Sequence, residues 1–246
     1  MNCSICNFSY DNTIEYLCPS CGKYENVNLF SDVPNYIKFL KDLVNKSSKL
    51  IDKLDNEGIP RDDIRREKLG AFNIITLATI YDLADYDNDI RYNDSRIPKA
   101  LKTDNPKLEN DLIQKIIENI DLRNKFTYLV VSLFQFENLY TGLAKNMSYT
   151  GNKNYASVVK HVISNLDLEN KPEKLDSMLL PSTIRNTLHS QGIFRDPKGK
   201  NKEFTVKNVS FKFEHEKQHG YVSWREIIFC FNNIIETTSK VLEKIT

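Results

Sequence analysis

Cysteine is concentrated at one end of this chain. Four of its five cysteines fall within the first 21 residues, as Cys3-Ser-Ile-Cys6 and Cys18-Pro-Ser-Cys21. Each C-x-x-C pair can form one tight turn with both sulfurs facing the same way. Two such turns supply the tetrahedral thiolate set that Zn²⁺ takes in structural sites. Disulfides would instead need an oxidising compartment, and no apolar export segment stands ahead of Cys3. The expectation is a zinc ribbon over residues 1–30, with Cys3, Cys6, Cys18 and Cys21 as its ligands. Phe8, Tyr10, Ile14, Tyr16 and Leu17 between the pairs suit a short hairpin beside the metal. So small a segment buries too little apolar surface to fold unaided, which makes bound zinc the main source of its folding free energy. Cys230 sits far away in an apolar run and reads as a small buried hydrophobe.

The rest of the chain is long enough for one sizeable domain, over residues 31–246. With 34 basic against 33 acidic residues, it has no global attraction for polyanions, so nucleic-acid binding would need a local patch. No apolar stretch reaches the roughly 18 residues of a membrane span. A soluble, cytoplasmic protein is expected.

Helical periodicity dominates. It begins at Val33-Pro34, runs through Leu40, Leu43, Leu50 and Leu54, and stops at Gly58-Ile59-Pro60. A second helix is expected from about Arg61 to Ala84. Residues 85–107, rich in Asp, Asn and Pro, read as an exposed loop. Two helices follow, around 108–120 and 122–146, the second apolar on nearly every side and therefore central. Another covers Tyr155–Leu166. Lys171-Pro172-Glu173 reads as a linker, and a short helix starts at Leu179-Leu180-Pro181 with Gly192 suited to its C-terminal cap. Alternation from Phe204 to Phe213 predicts two short strands turning at Lys207-Asn208. Ser223-Trp224-Arg225-Glu226 has the form of a capping box opening the last helix. The predicted fold class is mainly α: a helical bundle with a small β-hairpin near the C-terminus.

Ile184-Arg185-Asn186-Thr187-Leu188-His189 is the segment best suited to chemistry. On a helix, Arg185 and His189 lie one turn apart on one side. A guanidinium can hold two non-bridging phosphate oxygens and stabilise charge that builds in a transition state. An imidazole can pass a proton to or from a ribose hydroxyl or a leaving oxygen. The alternative is that Arg185 pairs with a carboxylate while His189 caps the helix or packs in the core.

A late bundle helix reading R-N-x-x-H, followed by Gly, a hairpin and a closing helix, resembles the HEPN superfamily of helical nucleases. The family signature is an Arg, usually followed by Asn, Asp or His, with a His further along. Three residues separate Arg185 from His189, one fewer than the family minimum, and one residue turns a helix by about 100°. The resemblance implies a HEPN-like bundle and metal-independent endoribonuclease activity. It also implies a homodimer in which two Arg/His pairs meet, and roles in toxins or antiphage defence. It carries Arg185 over as phosphate clamp, Asn186 as polar orienter and His189 as general acid/base. Zn²⁺ would be structural, in a ribbon appended for recognition. The competing reading is a non-catalytic HEPN-like dimerisation or binding module whose ribbon docks nucleic acid or a protein partner.

Two further patterns bear on function. His215-Glu216-Lys217-Gln218-His219 matches the H-E-x-x-H form of zinc proteases, which needs a helix through both histidines. Here it follows a strand and precedes Gly220, so a chance match at the edge of the hairpin is expected. Lys198, Lys200, Lys202, Lys207 and Lys212 form a basic cluster suited to phosphates, or simply a solvated face.

Overall fold

The computed structural model describes residues 33–90, 96–220 and 223–245. The expected ribbon over residues 1–30, with its four cysteines, lies outside them. The described residues form seven helices and one antiparallel hairpin: α1 (Val33–Asn56), α2 (Ile64–Ile90), α3 (Arg96–Asp104), α4 (Asn110–Asn146), α5 (Tyr155–Asn165), α6 (Lys171–His189), β1 (Lys202–Val206), β2 (Val209–Phe213) and α7 (Trp224–Ile245). The protein is therefore mainly helical with a small two-stranded hairpin near its C-terminus. None of the described helices is long and apolar enough to cross a membrane.

Apolar faces decide who packs on whom. α1 lies on α2 and α7, α2 on α4, α5 on α4 and α6, and α6 on α7 and β1. The core is aromatic at its centre. The rings of Phe72 and Phe136 are 5.1 Å apart, Phe72 and Phe231 5.6 Å, and Tyr128 and Phe231 5.3 Å. α7 is enclosed along most of its length, with Trp224, Ile227, Ile228, Phe231, Ile234 and Val241 all buried.

Local signals hold where the sequence chemistry is specific. At the start of α7, Glu226 N–H donates to Ser223 Oγ at 3.2 Å, and Ser223 N–H donates to Glu226 Oε2 at 2.9 Å, completing the capping box. Lys207 and Asn208 both take positive φ, 47° and 63°, as a type I′ turn requires. The hairpin pairs Phe204 with Phe211 and Val206 with Val209, and all four side chains are buried.

Three expectations are corrected. Residues 85–107 are not an exposed loop throughout: α2 continues to Ile90, and α3 covers Arg96–Asp104. The cause is a second small core, where Tyr86, Ile113 and Ile117 are buried together with Ile97 and Leu101 against them. Tyr86 also donates its hydroxyl to the Ile117 carbonyl at 2.9 Å. The helices around 108–120 and 122–146 are one, α4, of 37 residues. Asp121 at the supposed break is no breaker: it accepts a hydrogen bond from the Trp224 indole at 3.1 Å and pairs with Lys125 one turn on. Lys171-Pro172-Glu173 is not a linker but the first turn of α6, where proline's missing N–H has no helical partner to lose.

Candidate active site at the end of α6

The last two turns of α6 point Ile184 and Thr187 into the core and leave Asn186 and His189 exposed, with Arg185 half-buried. His189 is the last helical residue. The helix then ends in a Schellman arrangement: Gly192 N–H donates to the Thr187 carbonyl at 2.9 Å and Gln191 N–H to the Leu188 carbonyl at 3.1 Å. Gln191 supplies the left-handed step at φ 57°, and Gly192 follows at φ 81°. The cap expected at Gly192 therefore begins one residue earlier.

Arg185 reaches across to α4. Its Nη1 lies 2.7 Å from Glu137 Oε1, the two side chains being 21% and 20% exposed. Its Nε and Nη2 each lie 3.3 Å from Asn186 Oδ1. A guanidinium carries five N–H donors, so these contacts leave two uncommitted among the described residues. Asn186 thus orients the guanidinium from the neighbouring position, while Glu137 anchors it.

His189 meets α4 elsewhere. Its ring stands edge-on to Phe126, with centroids 5.2 Å apart at 84°. It makes no hydrogen bond or ion pair among the described residues. Phe126 and Glu137 are eleven residues apart on α4, about 16 Å along the axis. The guanidinium and the imidazole therefore leave neighbouring turns of α6 for well-separated points on α4, and no hydrogen bond joins them.

Two groups here carry no signature in the sequence. Glu137 is the single charged residue between Lys125 and Lys145, and that isolation is the one hint that it has a partner. Tyr155, at the start of α5, has a buried hydroxyl with no hydrogen-bond partner among the described residues. Burial pushes its pKa well above the usual 10, with Tyr140 and Glu137 adding to the rise and Arg185 opposing it. Tyr155 therefore lies within the electrostatic reach of the Arg185–Glu137 pair.

The H-E-x-x-H segment adjoins this helix end without a helix of its own. His219 N–H donates to the Gly192 carbonyl at 2.8 Å, and Phe194 N–H to the Lys217 carbonyl at 3.0 Å. Glu216 takes φ 57° in a turn. The imidazoles fasten the loop: His215 Nδ1 accepts from Asp196 N–H at 3.1 Å, and His219 Nε2 from Glu214 N–H at 3.0 Å. Among the described residues, no group of three or more His, Cys, Asp or Glu is placed to hold a metal ion. Cys230 is buried, and desolvation with the nearby Glu226 charge pushes its thiol pKa up.

The basic cluster is largely matched by acids. Lys202 pairs with Asp196 at 3.0 Å, Lys207 with Glu236 at 2.8 Å and Lys212 with Glu203 at 3.7 Å. Lys198 and Lys200 are exposed and make no ion pair among the described residues. No protein-family model, curated protein or solved structure matches this chain.

Proposed function

We propose that this chain is a HEPN-like endoribonuclease whose chemistry rests on Arg185 and His189, acting in a toxin or antiphage defence setting. The observation that supports it best is the pairing of an exposed imidazole with an anchored guanidinium that keeps donors to spare, both on the last turns of one helix. In this reading Arg185 takes the non-bridging phosphate oxygens with its two uncommitted N–H groups, and Asn186 and Glu137 hold it in plane. His189 accepts the proton of a ribose 2′-hydroxyl, whose oxygen attacks phosphorus, or returns a proton to the departing 5′-oxygen. No divalent metal enters that step. Cys3, Cys6, Cys18 and Cys21 hold a structural Zn²⁺ in a separate ribbon that contacts RNA or a protein partner.

The separation of Arg185 from His189 within one chain favours a site assembled from two. The surface offers a means. Ile74, Leu77 and Tyr81 of α2 and Val131 and Phe134 of α4 are exposed, Tyr81 at 73% and Phe134 at 55%. A buried aromatic ring removes 150–250 Å² from water, so these two rings alone expose about 250 Å², a large share of the roughly 300–600 Å² in the largest patch of a typical monomer. Phe134 lies one turn from Glu137 on α4, so a second copy seated on this face would bring two Arg185/His189 sets near one another. The contrary reading, a non-catalytic binding module, is favoured by the carboxylate already on Arg185.

The test is to incubate the purified full chain with total RNA, with and without EDTA, and to map the ends. Cleavage that persists in EDTA and leaves 2′,3′-cyclic phosphates and 5′-hydroxyls is expected. Cleavage that stops with EDTA while the ribbon keeps its zinc, or that leaves 5′-phosphates, would contradict the mechanism.

A further inference from the structure

Beside the Arg185–Glu137 pair stand a donor without an acceptor and an acceptor without a donor. The donor is the Tyr155 hydroxyl, buried and without a hydrogen-bond partner among the described residues. The acceptor is Glu137 Oε2. Arg185 Nη1 donates to Glu137 Oε1 at 2.7 Å, and no described residue donates to the other oxygen. α5, which carries Tyr155, packs on both α4 and α6, and the hydroxyl lies within electrostatic reach of Glu137 and Arg185.

A slack backbone does not explain the orphan. Asn154 caps α5 immediately before Tyr155, its Oδ1 accepting from Ser157 N–H at 2.8 Å. The loop ahead is tied back too: the Tyr149 hydroxyl donates to the Asn152 carbonyl at 3.0 Å, and the Tyr149 and His161 rings lie 4.5 Å apart. Other inward-facing tyrosines do find partners. Tyr86 donates to the Ile117 carbonyl at 2.9 Å, Tyr128 meets the Thr76 hydroxyl at 3.1 Å, and Tyr140 meets that of Thr238 at 3.4 Å. Buried polar groups are ordinarily satisfied. Of these hydroxyls, the one beside Arg185 is left open.

Electrostatics give it a use. A phosphate on the two uncommitted N–H groups of Arg185 comes close to the Glu137 carboxylate, and like charges at short range repel. A hydroxyl donated to Oε2 makes a charge-assisted bond that disperses the carboxylate's charge. Oε1 stays on the guanidinium. Tyrosine has only two side-chain torsions, so the hydroxyl can turn towards Glu137 while its backbone stays still.

We propose that Tyr155 is a positioning residue for the anion site at Arg185: when phosphate occupies the guanidinium, the Tyr155 hydroxyl closes onto Glu137 Oε2, so that Glu137 holds Arg185 in plane without repelling the ligand. This rests on the reading that Arg185 takes a phosphodiester, but not on cleavage by His189.

The experiment measures binding of the full chain to a single-stranded 2′-O-methyl RNA, which lacks the attacking hydroxyl and cannot be cleaved. Tyr155→Phe should weaken binding about three- to tenfold, the range of one hydrogen bond, with the melting temperature little changed. In the Glu137→Gln background, where no carboxylate repels the phosphate, Tyr155→Phe should cause no further loss. Tyr128→Phe removes a bonded hydroxyl from the core; it should lower the melting temperature and leave affinity unchanged, which separates positioning from general loosening. On a cleavable strand, Tyr155→Phe should raise KM and leave kcat alone. Binding with this coupling but no cleavage would keep the role of Tyr155 and remove the nuclease reading. Cleavage with the same KM in wild type and Tyr155→Phe would keep the nuclease reading and remove the role. Equal losses in the two backgrounds, or no binding by wild type, would overturn the proposal.

Discussion

Two ion pairs anchored on α4 have opposite surroundings. Asp121 and Lys125 are 5% and 8% exposed, and the Asp121 carboxylate also takes the Trp224 indole N–H, so both charges are enclosed and answered. Glu137 and Arg185 sit near the surface and, among the described residues, leave two guanidinium donors uncommitted, with the Tyr155 hydroxyl, likewise without a partner there, within their field. A closed polar cluster fixes packing: it joins α4 to α7 and tolerates no missing member. An open one keeps capacity for a ligand. The difference is one of satisfaction rather than of residue type.

The comparison can be broken most severely at its closed end. Lys125→Ala should cost about 3–5 kcal/mol in denaturant unfolding, because it strands a buried carboxylate. Lys125→Met with Asp121→Asn should cost much less, since no charge is then stranded. A loss for Lys125→Ala below about 1 kcal/mol would mean the pair is solvated. Next in size is the apolar face beside the open cluster. Tyr81→Glu with Phe134→Glu should convert a dimer to a monomer in sedimentation with the fold intact, and an unchanged sedimentation coefficient would remove that surface from the account.

At the open pair itself, Glu137→Gln should change stability by no more than about 1 kcal/mol. It should strengthen RNA binding several-fold, since the carboxylate competes with phosphate for Arg185. Weaker binding would show that Glu137 is needed to hold the guanidinium in place. Tyr155→Phe should have the smallest effect, within about 1 kcal/mol at neutral pH, because its hydroxyl makes no hydrogen bond. Its sign appears in alkali. The native hydroxyl is held protonated above 10 while the unfolded chain ionises there, so its contribution is present below 10 and lost as pH rises beyond it. The Phe variant should lose less stability than wild type above pH 10.

Much of the fold was legible because its signals are local. The capping box at Ser223 and Glu226 and the turn at Lys207-Asn208 need only neighbouring residues to form. The Asp- and Asn-rich stretch after Ala84 departs from its local propensity because that propensity is overridden at a distance, by Tyr86 meeting Ile113 and Ile117. Asp121 failed as a predicted break for the same reason, its partner Trp224 being remote in sequence. At the candidate site, Arg185 and His189 could be placed on one helix edge from spacing alone. Glu137 and Tyr155 could not, because only the packing of α4 and α5 on α6 brings them to Arg185. Nor does spacing along α6 reveal that the two side chains part company on reaching α4.

The most direct test is cleavage of a defined single-stranded RNA by wild type and by His189→Ala, with thermal unfolding followed on the same samples. His189 is exposed, and among the described residues its ring packs against Phe126, so its loss should leave the melting temperature within a degree or two while cleavage falls to background. Undiminished cleavage by His189→Ala, at an unchanged melting temperature, would contradict the assignment of chemistry to this helix end.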